Sequence, residues 1–151
     1  MTSPKTLIVQ SVDLSTITGV TITDMNWLAV YAAGVRKGNH DDPQDAQGLL
    51  GAYLPLTAYN FTVPVAVTGT DEADLEANLD ALGAVVIGNN GLVTLARRRA
   101  AVGGGYTTNT AHGAFNGFAN FSSPGLLDIE VDLQFTNLDG GWWNGSAWLV
   151  P

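Results

Sequence analysis

Few side chains in this sequence are of the types that carry out chemistry. His40, Asp41 and Asp42 are the densest group of potential metal ligands, but no second set of ligands lies within sequence reach, so a solvated polar loop explains them more simply. His112 has only glycine, alanine and threonine beside it, so no hydrolase triad is predicted. The absence of cysteine excludes thiolate ligands and disulfides. We therefore expect no enzyme, no metal and no cofactor.

Carboxylates recur at every second position in Asp128, Glu130 and Asp132. They belong to the unbroken alternation of residues 127–136, which predicts a strand with one apolar and one acidic face. Paired glycosidase acids are one interpretation, but an exposed acidic strand is the simpler one. Like charges on one face repel each other, so this face needs water or a cationic partner.

Dense positive charge is found at Arg97, Arg98 and Arg99. Two interpretations remain open: a strand end whose side chains reach solvent, or a salt-bridging patch that meets an acidic face of another subunit.

Three of the four tryptophans, Trp142, Trp143 and Trp148, lie in the last ten residues. They could form a platform for a sugar ring, or anchor the C-terminal tail to its own domain or to a neighbour. We favour the anchor.

The remaining elements follow from periodicity. Residues 5–12, 19–23, 59–68 and 92–98 are predicted strands, and Pro64 should lie at an edge or bulge because it lacks an N–H. Residues 71–82 predict a helix, capped by Thr70 or Asp71 and ended by Gly83. Leu75, Leu79 and Leu82 would form its apolar stripe, and Glu76, Asn78 and Asp80 would face water. Residues 84–87 and 92–98 predict a hairpin around a Gly-Asn-Asn-Gly turn. Residues 112–121 predict a weaker strand, followed by turns at 122–125 and at the Asn-Leu-Asp-Gly-Gly of residues 137–141. Residues 34–55 form a long loop with an apolar tip, and a loop of this kind normally has a partner.

Composition sets the class. A chain of 151 residues with 46% hydrophobic and 13% charged residues fits one ordinary domain, here residues 1–151. Its formal net charge of −8 argues against binding nucleic acid through the phosphate backbone. No run of apolar residues is long enough to span a membrane. We expect a mainly β fold, a sandwich or half-barrel of about seven or eight strands with one packed helix.

The order of these elements resembles the tail-tube fold of long-tailed bacteriophages, shared by major tail tube proteins and the first domain of distal tail proteins. Residues 61–82, FTVPVAVTGTDEADLEANLDAL, look like the strand-glycine-helix segment of tail proteins of phages that infect actinobacteria. Residues 132–143, DLQFTNLDGGWW, are similar to their closing strand and aromatic turn. The resemblance covers the second half of the chain well, the first half only by pattern, and carries no catalytic residue.

The resemblance implies a structural virion protein, a major tail tube subunit assembled in the host cytoplasm. Its partners would be copies of itself, in stacked hexameric rings, and other phage tail proteins, and genomic DNA would pass through the channel without specific binding. Residues 34–55 would be the loop between rings or subunits, and the helix would pack outside the barrel. The loop residues singled out for this contact are Arg36, Lys37, Leu49, Leu50, Tyr53 and Leu54. The acidic strand carrying Asp128, Glu130 and Asp132 would face the lumen and repel DNA.

Two alternatives stay open at this point. A compact distal tail or adaptor ring at the tail tip is the nearest, although a chain of this length has no room for the extra domain that many distal tail proteins carry. A carbohydrate-binding β-sandwich that uses the tryptophans belongs to a different class.

Overall fold

A computed structural model describes residues 5–25, residue 27 and residues 58–149 of the chain. The predicted loop at 34–55, with Arg36, Lys37, Leu49, Leu50, Tyr53 and Leu54, lies outside these residues, as do His40, Asp41 and Asp42. The described part is mainly β, with one α-helix against a curled antiparallel half-barrel sheet. Of the two predicted architectures, the half-barrel is the one formed.

The described residues form nine strands. They are β1 (Thr6–Val9), β2 (Val12–Asp13), β3 (Val20–Ile22), β4 (Tyr59–Thr68), β5 (Leu92–Ala100), β6 (Tyr106–Gly125), β7 (Asp128–Asn137), β8 (Trp142–Trp143) and β9 (Trp148–Leu149). A 3-10 turn at Leu14–Thr16 follows β2, and helix α1 spans Glu72–Ile87. The sheet runs in the order β2-β1-β5-β6-β7-β4-β3, and β8 pairs with β6 and β9.

The longest uninterrupted pairing in the sheet joins β4 and β7 along ten residue pairs, from Tyr59 with Asn137 to Thr68 with Asp128. Both strands alternate in the same register, so their apolar side chains meet on one face. Phe61 stacks on Phe135 with ring centroids 5.5 Å apart, and both rings are buried. The predicted strands at 59–68 and 127–136 are confirmed to within one residue.

Pro64 lies where the short strand β3 stops pairing with β4. The ladder ends at Ile22 opposite Val65, and Thr23 N–H donates to the Pro64 carbonyl at 3.0 Å. The missing N–H of Pro64 thus falls at the end of a ladder, where one hydrogen bond fewer is tolerated.

Helix α1 begins as predicted. Asp71 accepts a hydrogen bond from Asp74 N–H at 2.8 Å, and the Asp74 carboxylate accepts one from Thr70 N–H at 2.8 Å. This reciprocal arrangement satisfies donors that the first turn leaves unpaired. Leu75 and Leu82 are buried as the stripe requires.

The predicted end of the helix at Gly83 is wrong, because α1 continues to Ile87 and is capped by Gly88. Residues 84–87, predicted as a hairpin arm, are the last helical turn. Val86 lies four residues after Leu82 and is fully buried, so core packing extends the helix past a glycine that costs only about 1 kcal/mol in a helix interior. The Gly-Asn-Asn-Gly turn forms, but it joins α1 to β5.

Asn78 was expected to face water, but it is only 6% exposed. Its Nδ2 donates to the carbonyl of Thr68 at 2.7 Å, which ties α1 to the end of β4. A side-chain amide is buried here because a sheet-end carbonyl needs a donor.

Strand β6 is longer than expected. It includes the predicted strand at 112–121 but spans 20 residues, with irregularities in its pairing to β7 between Phe115 and Gly117 and between Ala119 and Ser122. The turn expected at 122–125 is therefore displaced past Gly125. Bulges let β6 bend, so that one long strand can pair with β5, β7 and β8 in a curled sheet.

Gly83 and Gly88 give opposite predictions for replacement by alanine. A Cβ at Gly83 would meet nothing within 4 Å, so Gly83→Ala should stabilise the protein by about 0.5–1 kcal/mol through lower unfolded-state entropy. Gly88 has φ +59°, and a Cβ there would lie 2.7 Å from the Leu92 carbonyl oxygen, so Gly88→Ala should destabilise by at least about 1 kcal/mol. Urea unfolding of both variants measures this. Destabilisation by Gly83→Ala would contradict a continuous helix.

Candidate functional site

The acidic residues of β7 lie on the face of the sheet opposite the core. Asp128 and Glu130 are exposed and Asp132 is half-buried. Their cross-strand partners are Thr68, Ala66 and Pro64 on β4 and Gly125, Ser122 and Ala119 on β6. None of these partners is charged, so the face keeps its negative potential.

Uncharged polar side chains extend this face across three strands. Asn120 Nδ2 donates to Asp132 Oδ2 at 2.8 Å. Asn116 Nδ2 donates to Thr136 Oγ1 at 2.7 Å, and that hydroxyl donates to Asn60 Oδ1 at 2.6 Å. These bonds join β6, β7 and β4 on their exposed side. We call this surface the acidic face; it is defined by Asn60, Asn116, Asn120, Asp128, Glu130, Asp132 and Thr136.

The structure does not bring the three arginines into one patch. Arg97 points into the core and is 2% exposed, with its guanidinium carbon 4.8 Å from the centroid of the Trp142 ring and its Nε donating to Asn109 Oδ1 at 3.3 Å. Successive residues of a strand face opposite ways, so Arg98 lies on the other side. Arg99 is half-buried near the end of β5.

Arg98 is engaged within its own chain. Its Nη2 lies 2.8 Å from Asp13 Oδ2, and Thr6 and Ser15 donate side-chain hydrogen bonds to Asp13 Oδ1 at 2.6 and 2.7 Å. Burial raises the pKa of Asp13, but the hydrogen bonds from Thr6 and Ser15 and the charge of Arg98 outweigh it, so this pKa lies below its ordinary value. The cluster joins β1, β2 and β5.

The tryptophans divide into an anchor and an exposed pair. Trp142 is 1% exposed and its Nε1 donates to the Tyr59 hydroxyl at 2.7 Å. Burial raises the pKa of Tyr59, opposed by that hydrogen bond and the Arg97 charge. Trp143 and Trp148 face each other across β8 and β9 and remain 37% and 47% exposed. The anchor interpretation fits Trp142, while the other two rings are accessible.

These two rings border a pocket of about 640 Å³ over β1, β5 and β6. His112 and Asp139 lie at the same pocket, where Asp139 Oδ2 is 3.0 Å from His112 Nδ1 and accepts the His112 backbone N–H at 2.7 Å. The expectation that His112 has no acid beside it is therefore wrong. Ser11 also lines the pocket, but within the described residues its hydroxyl makes no hydrogen bond to His112, so no triad is assembled.

The His112–Asp139 pair was missed because the residues are 27 apart in sequence. The β6–β7 register pairs Gly113 with Asn137, and Asn137 Oδ1 then accepts the N–H groups of Asp139 and Gly140 at 3.1 and 3.0 Å. This tight turn folds Asp139 back onto His112. The Asn-Leu-Asp-Gly-Gly turn was predicted, but the register that places it was not.

In the part of the chain that the structure describes, no group of three His, Asp or Glu side chains could hold a metal ion. Its one α-helix, with 16 residues, is too short to cross a bilayer. No protein-family model matches the chain, and no curated protein and no solved structure matches it either.

The contrast between the buried and the exposed tryptophans can be tested by replacing one of each with alanine. Trp142→Ala should destabilise the protein by about 3–5 kcal/mol, since it removes a buried ring together with its hydrogen bond and its contact with Arg97. Trp148→Ala should cost less than about 1 kcal/mol because that ring is largely exposed. Chemical denaturation gives both values. Equal losses would contradict the division into an anchor and an exposed ring.

The lowered pKa of Asp13 predicts an acid-dependent contribution to stability. A carboxylate whose pKa is depressed on folding stabilises the protein above its unfolded pKa, and this contribution is lost as the pH falls through the folded value. The destabilisation caused by Asp13→Asn should therefore be largest near neutral pH and shrink below about pH 4. Asp128→Asn, which removes an exposed carboxylate, is the control for net charge. A destabilisation by Asp13→Asn that does not change with pH would contradict the assignment.

Proposed function

We propose that this protein is a structural wall subunit, a major tail tube protein whose copies assemble into stacked rings around a channel that conducts DNA. The observation that carries the proposal is the acidic face on β6, β7 and β4. Its charged members are all carboxylates, and hydrogen bonds join Asn120 to Asp132 and link Asn116, Thr136 and Asn60. A surface of this sign repels the phosphates of a passing duplex and gives it no place to bind.

Within the described residues, short strands cover the edges of the sheet only in part, which supports self-assembly. The described sheet ends in β2 and β3, which have only two and three residues. On the side of β4 away from β7, described pairing covers Val65–Val67, and no described strand pairs with residues 59–63. Unpaired strand edges favour pairing with another chain, and edge-to-edge joining of identical copies would close half-barrels into a ring.

Exposed apolar side chains also support self-assembly. Phe121 and Leu126 near the tip of the β6–β7 hairpin are 62% and 98% exposed, and Ile87 at the end of α1 is 48% exposed. Together with the low charged fraction of 13%, they suit a subunit that buries its sides against neighbours.

Assembly is the first test. At high concentration the purified protein should form rings or tubes visible by negative-stain microscopy, with a mass by light scattering that is a multiple of the chain. Polymerised tubes support a tail tube protein, and single rings that never stack would instead favour a distal tail ring. A chain that stays monomeric at every concentration would contradict both.

Charge reversal tests which surface lines the channel. Asp128→Lys with Glu130→Lys reverses two exposed charges of the acidic face, and Glu76→Lys with Asp80→Lys reverses two exposed charges of α1 as a matched control. Both pairs change the net charge equally. Assembled particles of the first variant should retain duplex DNA in a sedimentation assay at low salt, whereas wild type and control should not. Equal DNA retention by both variants would contradict the proposal that the acidic face lines the channel.

A further inference from the structure

The pocket beneath the β8–β9 hairpin is not used by the proposed wall function. Its floor includes Ile8, Ala96 and Thr110, which lie in one cross-strand row of β1, β5 and β6. Its volume of about 640 Å³ falls within the range of small-molecule sites, about 300–1,000 Å³. Three hydrogen-bonded strands thus form the base of the pocket.

Two indole rings form one side of the pocket. Trp143 and Trp148 have ring centroids 5.2 Å apart and an interplanar angle of 58°, and the burial of Trp142 next to them holds the hairpin on the domain. Because each ring is more than a third exposed, a bound molecule can cover it. An aromatic face of this kind packs against C–H groups and can accept weak hydrogen bonds from them.

The polar groups of the pocket are held in position but still have hydrogen-bonding capacity for a ligand. Asp139 Oδ2 binds both the backbone N–H and Nδ1 of His112, and this fixes the orientation of the imidazole. Within the described residues, Asp139 Oδ1, His112 Nε2 and the Thr110 hydroxyl have no hydrogen-bond partner. A carboxylate oxygen, an imidazole nitrogen and a hydroxyl therefore lie beside the two indole rings.

We propose that this pocket binds the ring of a neutral sugar. One face of a pyranose is rich in C–H groups and would cover an indole, while its hydroxyls both donate and accept and would pair with Asp139, His112 and Thr110. Among the described residues, no lysine or arginine lines the pocket, which disfavours phosphorylated, sulfated or carboxylated sugars. A purely apolar ligand would cover these polar groups without replacing their hydrogen bonds to water.

The inference goes beyond the proposed wall function and does not depend on it. His112 is on the same face of the sheet as Thr136 of the acidic face, since the register places both residues away from the core. Assembly that turns this face inward would leave the pocket reachable only from the channel. Binding is therefore measured on the unassembled chain at low concentration, whatever its assembly at high concentration.

The experiment titrates the folded chain with the methyl glycosides of glucose, galactose, mannose and N-acetylglucosamine, followed by saturation-transfer NMR and tryptophan fluorescence. At least one glycoside should bind with a Kd of about 1 mM, as expected for a single ring in an open site. Its C–H protons should show saturation transfer. Tetramethylammonium is the competing probe, because two indole rings and a carboxylate could also hold a cation.

Variants locate the site. Trp148→Ala and Asp139→Asn should each weaken binding at least ~10-fold, whereas Phe121→Ala, which removes an exposed aromatic ring outside the pocket, should leave it unchanged. Circular dichroism checks that all three variants are folded. Binding of none of the four glycosides, binding of tetramethylammonium alone, or glycoside binding that survives both pocket substitutions would overturn the proposal.

Discussion

The structure depends on the in-register pairing of β4 with β7. Ten consecutive residue pairs align two alternating strands, so Phe61, Val63 and Val65 meet Phe135, Leu133 and Val131 on one face. Each such side chain contributes about 1.5–3 kcal/mol when it is fully buried. A slip of β7 by one residue against β4 would turn Phe135, Leu133 and Val131 to solvent. It would bury Asp128, Glu130 and Asp132 instead. The register therefore determines the core and the acidic face together.

The remaining elements build on this pair. Helix α1 covers the core with Leu75, Leu82 and Val86, and Asn78 ties it to the last carbonyl of β4. At the other end of the same strand, the Tyr59 hydroxyl accepts the indole N–H of Trp142. Each end of β4 thus holds a neighbouring segment through one side-chain hydrogen bond, part-buried at Thr68 and buried at Tyr59, and such bonds are costly to leave unmade.

The C-terminal hairpin of β8 and β9 adds a pocket to the outer face of β5 and β6. Trp142 packs between Arg97 and Tyr59 in the core, and the next residue, Trp143, is directed outward because side chains alternate along a strand. One strand of two residues therefore joins a structural anchor to an exposed ring. The proposed assembly and the proposed ligand site involve different parts of the sheet: the assembly would depend on strand edges and charge, and ligand binding on a local pocket.

The sequence by itself determined the elements whose period is unambiguous. The alternation at 59–68 and 127–136, a helix cap at Thr70 or Asp71 and the mainly β class were all predictable, because local geometry decides which residues share a face. Local signals failed at Gly83, where the burial of Val86 carries the helix onward, and at Asn78, which was assigned to the solvent side. In both cases the packing of the helix against the rest of the domain outweighed the local preference.

Only the tertiary structure decided the sites. The arginine triplet reads as one patch, yet strand alternation sends Arg97 into the core and Arg98 to Asp13. His112 and Asp139 become neighbours through the β6–β7 register and the turn after Asn137. Periodicity along a chain says which way a side chain faces, but the pairing of distant strands decides what it faces. That pairing is selected by the packing of the whole core.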